Sequence, residues 1–200
     1  MDRKQEILEL AKQLGVLRPR DVEAAGIPRE YLLRLVRQGE LVRIGRGLYA
    51  SADLPMTEFT SLSEVAKRVP CSVVCLMSAL QYHQLTTQLP RKVWIAIEGT
   101  NWKPSLEYPS LKVVRFSGDA FNYGIEEHKI NKVPVKIYSP AKTVADCFKF
   151  RNKIGLDVAI EALREARHKR AATIDDLWAA AKVCRVSQVI RPYLEALAVG

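Results

Sequence analysis

The chain has 200 residues, of which 48% are hydrophobic and 26% are charged, a composition typical of a folded globular protein and unlike that of a disordered one. Its formal net charge of +9 favours an anionic partner, although many basic proteins bind no nucleic acid. The sequence has no apolar run long enough to cross a bilayer and no signal-peptide core, so we expect a cytoplasmic protein without a membrane partner.

Residues 18–50 carry the most informative pattern of the chain. Apolar residues at helical spacing predict a first helix before this stretch and two helices within it, separated by a tight turn at Gly26. Two short β-type runs then follow, joined at Gly45-Arg46. The predicted elements are helices over residues 2–14, 19–25 and 28–38, and strands over residues 40–44 and 47–50. This order is that of a winged helix-turn-helix, a fold that places one helix in the major groove of DNA.

The second part of the chain is predicted to be a separate domain. Residues 1–52 form the winged helix-turn-helix, residues 53–58 form a linker that contains Pro55, and residues 59–200 form the second domain. Its predicted helices cover residues 62–69, 76–83, 139–150, 156–167, 174–181 and 188–198, and its predicted strands cover residues 93–98, 111–116, 127–130 and 135–138. The fold class is therefore α+β, with a small mixed sheet flanked by helices.

Arginines are concentrated on the elements that would dock on DNA. Residues 29–46 contain five arginines, opposed only by Glu30 and Glu40. An arginine can bind guanine O6 and N7 together or clamp a phosphate, and glutamine can pair with adenine. The predicted DNA-binding residues are Arg29, Tyr31, Arg34, Arg37 and Gln38 on the third helix, Arg43 and Arg46 on the wing, and Arg18 and Arg20 as phosphate contacts at the preceding helix. The alternative is a solvated arginine face on a protein-interaction module.

Several stretches resemble the AbiEi family, the antitoxins of type IV toxin–antitoxin systems, which are associated with phage defence. In the N-terminal domain the resemblance lies in G-I-P-R-E-Y-L-L-R-L-V-R-Q-G-E-L-V-R-I-G-R-G-L-Y-A. In the second domain it lies in C-L-M-S-A-L-Q-Y-H (75–83), V-W-I-A-I-E (93–98) and the stretch 135–155, which begins V-K-I-Y-S-P-A-K-T. The resemblance implies repression of the protein's own promoter through inverted repeats in double-stranded DNA. It also implies a partner gene for a nucleotidyltransferase-like toxin, which the second domain counteracts without a necessarily stable complex.

The helix that opens at Ser139-Pro140 offers a candidate basic face. Its proposed members are Lys142, Lys149, Arg151 and Lys153, which would contact DNA or the toxin's RNA substrate. The alternative is that these cations are merely solvated. For Thr143 and Asp146, which lie one turn apart, we favour a structural role in pinning the helix on the sheet.

The sequence leaves enzyme alternatives open but does not favour them. Asp119 followed by Glu127, His128 and Lys129 resembles the carboxylate and lysine pattern of Mg²⁺-dependent nucleases, a pattern that also arises often by chance. Three scattered histidines and no nucleophile signature disfavour acid–base and nucleophilic catalysis. The four cysteines, at 71, 75, 147 and 184, lack zinc-ligand spacing. We therefore predict no enzymatic activity, no metal and no cofactor. A stand-alone winged-helix transcription factor and a protein-interaction module remain alternatives.

Overall fold

A computed structural model of the chain describes residues 2–54 and 57–198. The chain divides into two compact units. The N-terminal unit comprises Met1–Pro70 together with His128–Val135, and the C-terminal unit comprises Cys71–Glu127 together with Lys136–Gly200. This division differs from the predicted linker at residues 53–58, of which residues 55 and 56 lie outside the described residues.

The N-terminal unit has the element order of a winged helix-turn-helix. Its elements are α1 (Arg3–Leu14), β1 (Val16–Leu17), α2 (Pro19–Ala24), α3 (Glu30–Arg37), β2 (Leu41–Gly45), β3 (Leu48–Ser51) and α4 (Thr60–Arg68). The three strands form one antiparallel sheet in the order β1-β3-β2. Strand β1 was not predicted from the sequence because two residues are too short to show an alternating pattern.

The wing of this unit turns one residue later than predicted. Gly45 pairs with Leu48, so the turn residues are Arg46 and Gly47 rather than Gly45 and Arg46. Gly47 has φ +68°, a left-handed conformation that glycine adopts without steric cost. A register shift between Arg43 and Gly45 leaves the intervening residue as a bulge, and this shift displaces the turn.

One apolar core holds α1, α2, α3 and the sheet of the N-terminal unit together. Each helix contributes apolar side chains to this core, and the core side chains are almost fully buried. They are Ile7, Ala11, Leu17, Val22, Ile27, Leu32, Leu35, Leu41 and Tyr49. Burial of this stripe is what orients α3, so that the opposite face of α3 points to solvent.

Gly15 ends α1 at a position that only glycine fits. Its N–H donates to the carbonyl of Ala11, and its φ is +70°. A Cβ atom at residue 15 would lie 1.6 Å from the carbonyl oxygen of Asn131, which belongs to the same unit. Asn131 and Lys132 both have positive φ and form the turn of the second hairpin, as predicted. The close approach of this turn to the end of α1 therefore requires glycine for both its conformation and its size.

The chain from residue 71 onward forms a five-stranded sheet, of which the segment 128–135 belongs to the N-terminal unit. The chain from residue 71 onward contributes β4 (Val73–Val74), α5 (Leu76–Tyr82), β5 (Val93–Glu98), β6 (Leu111–Phe116), α6 (Asp119–Asn122), β7 (Ile125–Ile130), β8 (Val133–Tyr138), α7 (Pro140–Lys149), α8 (Arg151–Ile154), α9 (Leu156–His168), α10 (Ile174–Cys184) and α11 (Ser187–Ala198). The strand order is β6-β5-β4-β8-β7, with β5 antiparallel to β4 and parallel to β6. The predicted α+β class with a mixed sheet and flanking helices is confirmed.

Helix α7 is the central helix of the C-terminal unit. Ser139 caps it by accepting a hydrogen bond from the Lys142 N–H, and Pro140 occupies its first turn. All residues from Ala141 to Phe148 are buried, so the helix is enclosed on every side. Its packing neighbours include α5, α9 and α10. A helix enclosed in this way presents no polar face until its last residue, Lys149.

Candidate nucleic-acid interface

Helix α3 presents a charged face on the side opposite to its core stripe. Leu32 and Leu35 are each 1% exposed and anchor the helix. The exposed positions on and beside α3 are Arg29, Glu30, Leu33, Arg34, Arg37 and Gln38. Four of the five candidates predicted on this helix are thus exposed at helical spacing. An exposed face with three arginines has the chemistry required to meet phosphates and base edges.

Tyr31, the fifth predicted candidate, is half-buried. Its ring lies beneath two guanidinium groups, 5.1 Å from the Cζ of Arg34 and 5.9 Å from the Cζ of Arg3. Such stacking fixes a guanidinium by a cation–π interaction. The arrangement therefore assigns Tyr31 a role in positioning Arg34, whereas its predicted contact with DNA remains a prediction.

Leu33 is a candidate that sequence reasoning missed. Its side chain is 52% exposed and lies between the charged side chains of the outer face of α3. Its exposed apolar surface is available to contact an apolar group on a partner. The sequence could have predicted this exposure. Leu33 does not belong to the inward stripe of Leu32, Leu35 and Val36, so helical spacing places it on the outer face.

The wing carries two exposed arginines, as predicted. Arg43 lies on β2, and its Nε donates to the carbonyl of Gly45 at 3.3 Å. Arg46 lies at the wing turn, and its carbonyl oxygen accepts a hydrogen bond of 3.0 Å from Nη2 of Arg68 in α4. Residues at such a turn are suited to phosphate contacts beside the groove.

Glu64 lies beside Arg68 under the wing. A Cβ atom on Gly45 would meet both side chains, at 2.7 Å from Nη2 of Arg68 and 3.2 Å from Oε2 of Glu64. Glu64 is buried, and among the described residues its Oε2 has no hydrogen-bond partner. Burial raises the pKa of the Glu64 carboxyl, and the Arg68 guanidinium opposes this effect. Helix α4 thus supports the wing, although the sequence assigned it to the second domain.

The two arginines predicted as phosphate contacts near α2 differ in their surroundings. Arg20 is exposed and suited to such a contact. The Arg18 guanidinium instead donates to the Asp21 carboxylate and, at 2.9 Å, to the carbonyl of Lys67 in α4. Burial alone would raise the pKa of the Asp21 carboxyl. Hydrogen bonds from the backbone and side chain of Arg18 outweigh this effect and hold the pKa of Asp21 below its usual range. Arg18 therefore joins α2 to α4, and its predicted DNA contact remains untested.

The predicted basic face of the C-terminal unit requires a correction. Lys142 is completely buried, and its ammonium lies 2.5 Å from the equally buried Asp146 carboxylate and 4.1 Å from the centroid of the Tyr138 ring. Lys142 therefore cannot belong to an exposed basic face. The sequence predicted an exposed Lys142 because a lysine is almost never fully buried without a partner. That prediction did not consider Asp146, one turn away, as the partner. Lys149 and Lys153 are exposed, and Arg151 is half-exposed.

Thr143 and Asp146 have the structural roles that were favoured, through different contacts. Thr143 Oγ1 donates to the carbonyl of Tyr138, and Asp146 accepts from Lys142 and from the Cys184 thiol. Burial raises the pKa of the Asp146 carboxyl, and the Lys142 ammonium acts against this rise. These bonds join the start of α7 to strand β8 and to helix α10.

The carboxylates of the nuclease alternative lie on different elements of the structure. Asp119 begins α6, whereas Glu127 and Lys129 lie on β7. Within residues 2–54 and 57–198, no group of three or more histidine, cysteine, aspartate or glutamate side chains is placed to hold a metal ion. In the same ranges, no helix is long and apolar enough to span a membrane.

Comparisons with known proteins identify the family of the N-terminal unit. Residues 5–52 match the model of a family described as "Transcriptional regulator, AbiEi antitoxin". The N-terminal domain is of the AbiEi type. The family predicted from the sequence is thereby confirmed over these residues. The matched segment runs from within α1 to the end of the wing, so it contains the exposed arginine face of α3.

A solved structure is similar to this chain over both of its units. The crystal structure of the RV2827C protein from Mycobacterium tuberculosis is similar with a TM-score of 0.52 and 13% sequence identity. The match covers 93% of this chain and 79% of that chain. At this identity the likeness shows the fold alone. A comparison with curated proteins found no match.

Proposed function

We propose that this protein is an antitoxin and transcriptional autorepressor that binds inverted-repeat operator DNA in its own promoter. The observation that carries the proposal is the exposed arginine face of α3 within the segment that matches AbiEi-type regulators. Arg29, Arg34 and Arg37 would enter the major groove, while Arg43 and Arg46 would contact phosphates from the wing. Such a repressor would act in the cytoplasm, and this function needs no enzymatic step.

Leu33 would add an apolar contact to this readout. A thymine methyl group is the apolar feature of the major groove, and an exposed aliphatic side chain beside Arg34 and Arg37 is suited to meet it. Glu30, also exposed on this face, is suited to accept from the amino group of cytosine. The proposed operator therefore contains guanines for the arginines and at least one thymine for Leu33.

The C-terminal unit would counteract a nucleotidyltransferase-like toxin encoded by a neighbouring gene. The exposed or half-exposed cations Lys149, Arg151 and Lys153 at the end of α7 and in α8 are the residues that we propose for this role. Their contacts with the rings of Phe116 and Phe150 and with the Phe148 carbonyl fix them near the helix ends. Lys142 has no part in this proposal because its side chain is buried.

Co-expression in cells separates the two proposed activities. One strain carries a reporter fused to the DNA upstream of this gene, and another carries the neighbouring gene under an inducible promoter. Arg34→Ala should abolish repression and preserve protection from toxicity, whereas the combined variant Lys149→Gln, Arg151→Gln and Lys153→Gln should preserve repression and lose protection. A neighbouring gene that is harmless when induced, together with intact repression, would indicate a stand-alone transcription factor. The restriction of the family match to residues 5–52 favours this second candidate.

A further inference from the structure

The C-terminal unit contains a cleft whose charged lining side chains are mostly cationic. It has a volume of about 560 Å³ and lies between the turn at Ser117–Ala120, the end of α7 at Lys149, and the end of α10 at Lys182 and Arg185. All of these residues belong to the same unit. A cleft of this size falls within the range of about 300–1,000 Å³ that small-molecule sites occupy.

Three cations and one carboxylate line this cleft, which leaves it with a net positive charge. Lys149, Lys182 and Arg185 are exposed, and none of them forms a salt bridge with a carboxylate of the described residues. Asp119 is the one acidic side chain among the residues that line the cleft. Three cations that line one concave space repel one another, so an anion bound between them would be stabilised by all three.

The cations extend from rigid parts of the unit. Lys149 follows eight consecutive buried residues of α7, and its ammonium lies 5.5 Å from the centroid of the Phe116 ring. Arg185 closes α10 in a left-handed conformation with φ +59°, next to the buried Cys184. A lysine in the last turn of a helix is common because its positive charge interacts favourably with the negative end of the helix dipole. The helix dipole explains why Lys149 and Lys182 each lie at the end of a helix. It does not explain why both of them line the same cleft as Arg185.

The lining indicates the class of ligand. The cleft is lined by no aromatic ring on which a base would stack, so recognition must rest on charge and hydrogen bonding. We propose that this cleft binds a polyphosphate group, either as inorganic pyrophosphate or as the phosphate chain of a nucleotide. Lys149, Lys182 and Arg185 would contact the phosphate oxygens, and the Ser117 hydroxyl would donate a further hydrogen bond. The Asp119 carboxylate would repel the polyphosphate when no divalent cation is bound to it.

Isothermal titration of the full-length protein with inorganic pyrophosphate tests this proposal. Lys182→Gln and Arg185→Gln should each weaken binding roughly tenfold, because each removes a charge-assisted hydrogen bond. Lys136→Gln is the matched control, since it removes an exposed lysine of the same unit that lies outside the cleft and should leave the affinity unchanged. Asp119→Asn should tighten the binding of pyrophosphate in the absence of a divalent cation. Unchanged melting temperatures would show that the variants fold.

The same titration with ATP identifies the source of the polyphosphate. If the affinity for ATP is close to that for pyrophosphate, the cleft recognises the phosphates alone. If ATP binds clearly more tightly than pyrophosphate, the ligand is a nucleotide. The proposal is wrong if pyrophosphate and ATP give no binding, or if Lys182→Gln and Arg185→Gln bind them as tightly as the unaltered protein. Binding of single-stranded RNA that depends on Lys182, without binding of pyrophosphate, would also overturn it in favour of a nucleic-acid surface.

Discussion

Nη2 of Arg68, at the end of α4, donates a hydrogen bond of 3.0 Å to the carbonyl oxygen of Arg46 at the tip of the wing. This bond joins a helix outside the winged helix-turn-helix motif to the loop that would touch the phosphate backbone. The wing is a two-stranded hairpin, an element that is only marginally stable without support. We therefore propose that Arg68 positions Arg46 for DNA rather than contacting DNA itself.

Replacing Arg68 by alanine should weaken operator binding by about 0.5–1.5 kcal/mol, the usual net contribution of one hydrogen bond. Because Arg68 is proposed to act through the wing, the dependence of the affinity on salt should stay the same. Lys12→Ala, which removes an exposed charge of α1, is the control for net charge. Fluorescence anisotropy over a range of salt concentrations measures both quantities. A salt slope lowered by about one would make Arg68 a phosphate contact instead.

Arg34 and Arg46 should differ in what their loss does to binding. Arg34→Ala should cost about 1–3 kcal/mol on the operator and much less on a scrambled duplex, since Arg34 is proposed to read a base. Arg46→Ala should weaken both duplexes alike and lower the salt slope by about one, since it is proposed to neutralise a phosphate. Competition titrations at several salt concentrations separate the two patterns. Equal losses for Arg34→Ala on both duplexes would remove it from base readout.

Leu33 should contact the methyl group of a thymine in the operator. Replacing the contacted thymine by uracil removes only that methyl group and should weaken binding by about 0.8 kcal/mol, or roughly fourfold. Leu33→Ala should bind the thymine and uracil duplexes equally. The operator thymines are replaced one at a time, and the affinity of each duplex is measured for both proteins. If Leu33→Ala still distinguished the two duplexes at every position, Leu33 would not be the contact.

Gly15 and Gly26 offer a matched pair for a test of stability. Both have positive φ, +70° and +75°, but only Gly15 has backbone atoms where a Cβ would lie. Gly26→Ala should therefore cost about 1 kcal/mol, the strain of a left-handed alanine. Gly15→Ala should cost about 1–3 kcal/mol more, because the Asn131 carbonyl must move. Urea denaturation followed by circular dichroism measures the free energy of unfolding. Equal costs would show that the hairpin turn adjusts freely.

The buried pair of Lys142 and Asp146 should be sensitive to the loss of either partner. Lys142→Met alone or Asp146→Leu alone should lower the free energy of unfolding by about 3–5 kcal/mol, because each leaves a buried charge without its partner. The double variant should recover much of this loss. The half-exposed pair of Glu165 and Lys169 has the same spacing, and breaking it should cost less than about 1 kcal/mol. Additive losses in the double variant would contradict this account.

The sequence predicted the elements that have a clear periodicity and missed those that do not. Strands β5 and β6 were predicted with their exact bounds because they are rich in β-branched residues. The short elements β1, β4, α6 and α8 were missed because two to four residues carry no period. The exposed face of α3 followed from the spacing of its arginines, although Tyr31 proved half-buried.

Two features depended on tertiary contacts that no local pattern contains. The burial of Lys142 depends on Asp146, Phe116 and Tyr138, which surround its ammonium. Arg18 and α4 belong to one unit through a hydrogen bond that spans 49 residues of sequence. Such a bond is visible only after folding.

The central claim is that the exposed face of α3 recognises the DNA upstream of this protein's own gene. The most direct measurement is an equilibrium binding titration of the full-length protein with that duplex, in competition with a scrambled duplex of the same composition, at two salt concentrations. The account predicts tight binding that survives the competitor, weakens with salt and is weaker by about 1–3 kcal/mol in Arg34→Ala. Equal binding of the two duplexes, or binding unaffected by Arg34→Ala, would contradict it.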